Sequence, residues 1–112
     1  MGSVFSSRVV KMTITREDVK KLIASDKVVI FSKSTCPYCK KAKEIFQKLE
    51  QSFTAIELNE AYKKDEMDTI QDILAEITGA RTVPRVFINE EFIGGCSDIQ
   101  QLNDSGALVK KL

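Results

Sequence analysis

Two cysteines, Cys36 and Cys39, stand three positions apart in FSKSTCPYCKKAKEIF, residues 31–46. Two thiols at that spacing can share a metal, close a structural staple, or exchange electrons as a dithiol–disulfide pair. A shuffled chain with three cysteines gives this spacing about one time in twenty, so the spacing alone is a modest signal. Its surroundings decide. An apolar run, KVVIFS (residues 27–32), comes before the pair, and a stretch with helical periodicity follows it.

A metal needs more ligands than the chain offers. Structural zinc takes four, Cys96 supplies only a third sulfur, and the sequence contains no histidine. The lack of histidine also removes Cys-His and Ser-His nucleophile pairs. Three cysteines are too few and too odd for a secreted disulfide framework. They point to a reducing compartment, with the cytoplasm as the expected location. The exchange of electrons is left as the best reading of the pair.

The elements that position the thiols follow from periodicity. KVVIFS is β-branched and aromatic without alternation, which describes a strand buried on both faces. A helix is expected from Pro37 to about Gln51. Pro37 suits its first turn, and Ala42, Ile45, Phe46 and Leu49 form its apolar stripe. Strand, loop and helix therefore place Cys36 at the helix start, where free N–H groups carry partial positive charge. A sulfur there is favoured as thiolate, the nucleophilic form, and Lys33 adds a nearby cation. Cys39, one turn further in, is expected to be less exposed yet within reach of Cys36 on the same helix face. Its natural role is to resolve a mixed disulfide.

Other elements complete the domain. Thr15 and Asp18 form a possible capping box for a helix carrying Val19, Leu22 and Ile23 on one face. FTAIEL, residues 53–58, is a second strand, and a polar loop follows it. A helix over roughly residues 66–78 turns Met67, Ile70, Ile73, Leu74 and Ile77 inward and stops at Gly79. TVPRVFINEEFIGG, residues 82–95, reads as a hairpin with a tight turn at Asn89-Glu90, and Pro84 must lie at a strand start or edge. A short helix capped by Ser97 or Asp98 and a last helical piece, ALVKKL, close the chain. The first two strands must be parallel through a right-handed crossover, and the last two antiparallel. An α/β fold follows: a four-stranded mixed sheet flanked by helices on both faces.

Size and charge bound the rest. The 112 residues fit one domain with a real core. A formal net charge of +1, with no basic run longer than two residues, argues against nucleic-acid binding. The longest apolar run of the first half, Val28–Phe31, falls far short of the ~18 residues a membrane span needs. Residues 1–14 read as an N-terminal tail and residues 15–112 as the domain. The tail begins M-G-x-x-x-S, with Gly2 and Ser6 placed as N-myristoylation requires. A chance match or an expression scar fits as well, as does a short acid-poor targeting stretch, which would make the chain mitochondrial.

Three separated motifs, CPYC at residues 36–39, TVPRVFI at 82–88 and GGCSD at 94–98, resemble those of dithiol glutaredoxins. The stretch IQDILAEITGARTVPRVFI reads like that family throughout, and the resemblance covers roughly residues 19–112. Thioredoxins differ, with Trp before the first cysteine and Gly-Pro between the two. Here Thr35 precedes Cys36, Pro37-Tyr38 intervene, and the chain has no Trp.

The resemblance implies a thioredoxin-like fold and a glutathione groove beside Cys36. In that reading Lys33 pairs with the glycine carboxylate of glutathione. Gln71 assists by hydrogen bonding, or else lies on a solvated helix face. Arg81 stands near the same end, or is a surface charge. Tyr38 lines the groove, or is simply exposed. Thr82, Val83 and Pro84 form a cis-proline loop whose Val83 backbone holds the cysteinyl part as an added strand does. Gly94 and Gly95 admit a close backbone. Cys96, Ser97 and Asp98 open a helix whose N–H groups receive the γ-glutamyl carboxylate, with Asp98 meeting its ammonium. Plain N-capping is the other role for Ser97 and Asp98, and Cys96 is a packing residue or regulatory thiol.

The function implied is a glutathione-dependent thiol–disulfide oxidoreductase acting on glutathionylated proteins and disulfides. Glutathione is the co-substrate, no metal or prosthetic group is bound, and the chain is expected to be a monomer. The alternatives are a glutathione-ligated [2Fe–2S] dimer and a membrane-tethered redox regulator. The residue after the first cysteine discriminates against the cluster, because Pro37 stiffens the turn where Ser or Gly would favour it.

Overall fold

The computed structural model describes residues 13–112. The Gly2–Ser6 signal and most of the expected tail lie outside the described residues. The first helix, α1 (Arg16–Ile23), opens on the expected capping box. The Thr15 hydroxyl accepts the Asp18 N–H at 3.2 Å, and the Asp18 carboxylate accepts the Thr15 N–H at 2.9 Å. Those bonds to Thr15 hold the Asp18 carboxyl below its ordinary value, because they favour the ionised form.

Strand β1 (Val28–Ser32) is buried at every position. Val29 and Phe31 face one core cluster, with Val19, Ile70 and Leu74, while Val28 and Ile30 face another, with Phe46 and Ile99. Period-two geometry therefore sends alternate residues into two cores, and the sequence shows no polar alternation because neither face meets water. Each such side chain contributes about 1.5–3 kcal/mol by burial.

The chain continues through α2 (Pro37–Lys48), β2 (Thr54–Glu57), α3 (Leu58–Ala61), α4 (Lys64–Thr78), β3 (Arg85–Ile88), β4 (Glu91–Gly94) and α5 (Cys96–Ser105), to a final 3-10 turn at Val109–Lys111. The sheet order is β2-β1-β3-β4. β1 and β2 are parallel and β3 and β4 form an antiparallel hairpin, both as expected, and β1 also pairs antiparallel with β3. Asn89 and Glu90 both take left-handed φ values, 51° and 68°, the geometry of a tight hairpin turn that follows strand twist.

Several boundaries differ from the sequence reading. α2 stops at Lys48 rather than near Gln51. Glu50 turns left-handed (φ 58°), and the Gln51 N–H closes back on the Phe46 carbonyl at 3.0 Å. No glycine announces that stop. α4 begins two residues before Glu66, because the Glu66 side chain reaches back to the Lys63 N–H at 2.9 Å. The polar loop expected after β2 begins with the single turn α3, anchored by the fully buried Leu58. α5 is capped by Gly95, not by Ser97 or Asp98, which both lie inside its first turn.

Candidate active site

The site begins where β1 leaves the core. Lys33, Ser34 and Thr35 form a turn closed by the Cys36 N–H on the Lys33 carbonyl at 3.0 Å. Asn59 of α3 grips this turn from outside. Its Oδ1 accepts the Ser34 N–H at 3.0 Å, and its Nδ2 donates to the Ser34 hydroxyl at 2.8 Å. Sequence reasoning missed Asn59, since nothing local in a polar stretch marks it as a partner of residues 25 positions earlier.

Cys36 is the N-cap of α2, and its sulfur accepts the Cys39 N–H at 3.2 Å. A sulfur that takes an amide N–H at a helix start is stabilised as an anion by the hydrogen bond and by the aligned peptide dipoles. Pro37 occupies the first helical turn, as expected, and that turn carries no acidic residue. The Cys36 sulfur also lies 3.8 Å from the Val83 carbonyl.

Cys39 is completely buried. Burial pushes its thiol up to about 11, and the neighbouring Cys36 side chain adds to this; the Lys33 backbone and Ser32 hydroxyl oppose it. One cysteine of the pair is thus open to a partner molecule while the other is held protonated. Cys96 is also buried, and burial raises its thiol, with Lys41 pulling the other way.

Beside the cysteines runs an open groove of about 520 Å³. Of the residues singled out from sequence, it brings together Tyr38, Thr82, Val83, Pro84, Gly95, Cys96, Ser97 and Asp98. The Val83–Pro84 peptide bond is cis. Asp98 turns its Oδ2 back to the Gly95 N–H at 2.9 Å. Gly94 makes that possible. Its φ is +147°, and a Cβ there would stand 2.4 Å from the same oxygen.

Lys33, Gln71 and Arg81 do not line the groove. Lys33 is half-buried on the turn before Cys36. Gln71 is buried, against the solvated-face reading, and its Nε2 donates to the Arg81 carbonyl at 2.9 Å. The Arg81 side chain pairs with Asp72 at 3.1 Å and reaches the Asp68 carbonyl at 3.4 Å. Gln71 therefore fixes the backbone leading into Thr82, and Arg81 is tied back onto α4.

Two further lining residues, Arg85 and Gln100, were not foreseen. Arg85 stacks on Phe92 at 5.0 Å and donates to Thr78, Thr82 and the Pro84 carbonyl at 3.2–3.3 Å. Burial lowers its guanidinium from the ordinary value, opposed by the charge of Asp98. A cation heading a strand of apolar neighbours was the available signal. Gln100, on an exposed helix face, offered none.

A dithiol at the start of a helix, on a four-stranded mixed sheet with a groove alongside, defines a thiol–disulfide oxidoreductase of thioredoxin-like fold. The glutaredoxin family model matches residues 28–93, more than half of the chain. Glutaredoxin-C4 of Arabidopsis thaliana is 51% identical over 94 residues, covering 84% of this chain and 67% of that protein. Among solved structures, a wheat glutaredoxin superposes with a TM-score of 0.80 at 48% identity, over 86% of this chain and 88% of that one. A buckwheat glutaredoxin in complex with glutathione gives 0.80 at 37% identity, over 87% and 86% of the two chains. The chain belongs to the glutaredoxin family and is a glutathione-dependent oxidoreductase.

Proposed function

We propose that the chain reduces protein–glutathione mixed disulfides, and low-molecular-weight and protein disulfides, through Cys36, with Cys39 as resolving thiol. The observation that carries this is the Cys36 sulfur at the α2 start, holding the Cys39 N–H at 3.2 Å beside the groove.

In the first half-reaction the Cys36 thiolate attacks the glutathione sulfur of a mixed disulfide. A new S–S bond forms to Cys36, the old one breaks, and the protein thiolate leaves and takes a proton from water. In the second, a glutathione thiolate attacks the glutathione sulfur of the enzyme-bound disulfide. Oxidised glutathione leaves and Cys36 returns as thiolate. Overall, one glutathione thiol reduces one protein–glutathione disulfide, giving a protein thiol and oxidised glutathione.

With a protein disulfide, Cys36 first forms a mixed disulfide with one substrate sulfur. Cys39 then loses its proton and attacks Cys36, releasing the second substrate thiol and leaving a Cys36–Cys39 disulfide. Two glutathiones reduce that bond. In the reduced protein burial holds the proton on Cys39, so this branch requires its deprotonation before attack.

Glutathione would lie along the groove, with its cysteinyl backbone against Val83 and its γ-glutamyl end at Gly95, Cys96 and Ser97. That a similar buckwheat glutaredoxin was solved with glutathione supports glutathione as the co-substrate. Asp98 would meet the ammonium with the oxygen not bound to Gly95. The Tyr38 ring and Lys33 would flank the glycine end, and Arg81 and Gln71 would act through the Thr82 loop. Cytoplasmic residence, with Gly2 acylation or organellar import as alternatives, is decided by mass spectrometry of the native N-terminus.

The test is a glutathione-coupled assay on a glutathionylated substrate. Cys36→Ser abolishes turnover and Cys39→Ser retains it. Equal loss in both variants would contradict the single-cysteine route.

A further inference from the structure

The reacting sulfur is surrounded by an exposed surface that extends beyond the glutathione groove. Ser34, Thr35, Pro37, Tyr38, Lys40 and Lys41 are all exposed around Cys36. Tyr38 is 62% exposed, one of only two large hydrophobic residues so open among those described. The Lys41 ammonium sits 5.5 Å from the centre of its ring.

The first turn of α2 holds no acid. Lys43, one turn further on, is neutralised by Glu57 at 2.6 Å. Lys40 and Lys41 form no ion pair with a carboxylate among the described residues. On α2 only Glu44 opposes them. The chain as a whole is close to neutral, with a net charge of +1, so a free positive pair beside the reactive sulfur is local, not a reflection of overall basicity.

We infer that Tyr38, Lys40 and Lys41 form a docking surface for the polypeptide around the target cysteine, and that it selects glutathionylated proteins whose cysteine is flanked by Asp or Glu. The inference rests on the function proposed above and names its substrate class. A polypeptide leaving the groove past Tyr38 meets an aromatic face and two ammonium groups. Acidic flanks are drawn in, and basic flanks are repelled. The surface acts on encounter, so its signature is in kcat/KM and in salt dependence, not in the chemical step.

The experiment uses two glutathionylated peptides, identical except for Glu or Lys on either side of the cysteine. A small glutathione mixed disulfide serves as a third substrate. At low ionic strength the native protein should favour the Glu peptide in kcat/KM by roughly tenfold, as two exposed charge pairs allow. Added salt should compress the ratio. Lys40→Glu/Lys41→Glu should reverse it while retaining kcat on the small disulfide. Equal use of the two peptides overturns the inference, as does a preference that survives the double reversal. No turnover of the small disulfide by the native protein overturns the proposed function, and this inference with it.

Discussion

Cys39 should separate cleanly from the more accessible Cys36 in its alkylation. Cys39 lies completely out of solvent, and its thiol is pushed from an ordinary 9.0 up to about 11. At neutral pH that shift alone leaves about a hundredfold fewer thiolates than an ordinary cysteine. Occlusion slows the reagent further. Labelling with iodoacetamide at a series of pH values, read by peptide mass spectrometry on the native fold, gives each site its own profile. Cys36 should label first. Cys39 should lag a model cysteine peptide by a hundredfold or more, rising about tenfold per pH unit toward 11.

The same shift has a consequence for stability. The folded value lies above the unfolded one, so the folded state holds the proton more tightly. Its stabilising contribution is fully present below about pH 9 and is lost as pH rises through 11. The loss amounts to about 3 kcal/mol at most, since each unit is worth about 1.4 kcal/mol. Urea titrations at pH 8 and pH 10.5 should differ in that direction, and Cys39→Ser should flatten the difference. A Cys39 that labels within tenfold of the model peptide at pH 7.5 would refute the burial argument. So would a profile that saturates below pH 10.

Gly94→Ala should destabilise the fold by about 1–3 kcal/mol, since the new Cβ would stand 2.4–2.7 Å from three atoms of Asp98 at a φ of +147°. Thermal denaturation measures this, and a raised KM for the glutathionylated substrate should accompany it as Asp98 is displaced. Asn59→Ala removes two hydrogen bonds that hold the Ser34 turn. It should cost about 1–2 kcal/mol and slow Cys36 alkylation several-fold, with Asn59→Asp restoring the bond from the Ser34 N–H. Unchanged alkylation would show that α3 does not position the turn.

Much of the site could be read from local signals. The Thr15–Asp18 box, Pro37 at a helix start, the Gly79 stop and the Asn89-Glu90 turn each rest on a few adjacent residues, and each appears as expected. The non-alternating β1 identified a central strand because burial on both faces leaves its mark in composition. Boundaries without such markers escaped: the α2 stop at Lys48 has no glycine, and the α3 turn rests on one buried leucine in a polar stretch. For Gln71 the sequence left hydrogen bonding to glutathione and a solvated face both open, because its actual partner, the Arg81 carbonyl, arrives only when α4 and the following loop pack.

The sequence by itself determined the main elements, the parallel β1–β2 and antiparallel β3–β4 pairings, and the placement of Cys36 at a helix start, because capping, turn chemistry and periodicity act within a few residues. Tertiary structure decided which side chains meet. It set the Val83 carbonyl against Cys36, gave Asn59 to the Ser34 turn, put Arg85 in the groove wall and made Gly95 the cap where Ser97 or Asp98 was expected. Those contacts join segments brought together by core packing, and the energies that select them come from burial and hydrogen bonds formed across the fold, which no local pattern records.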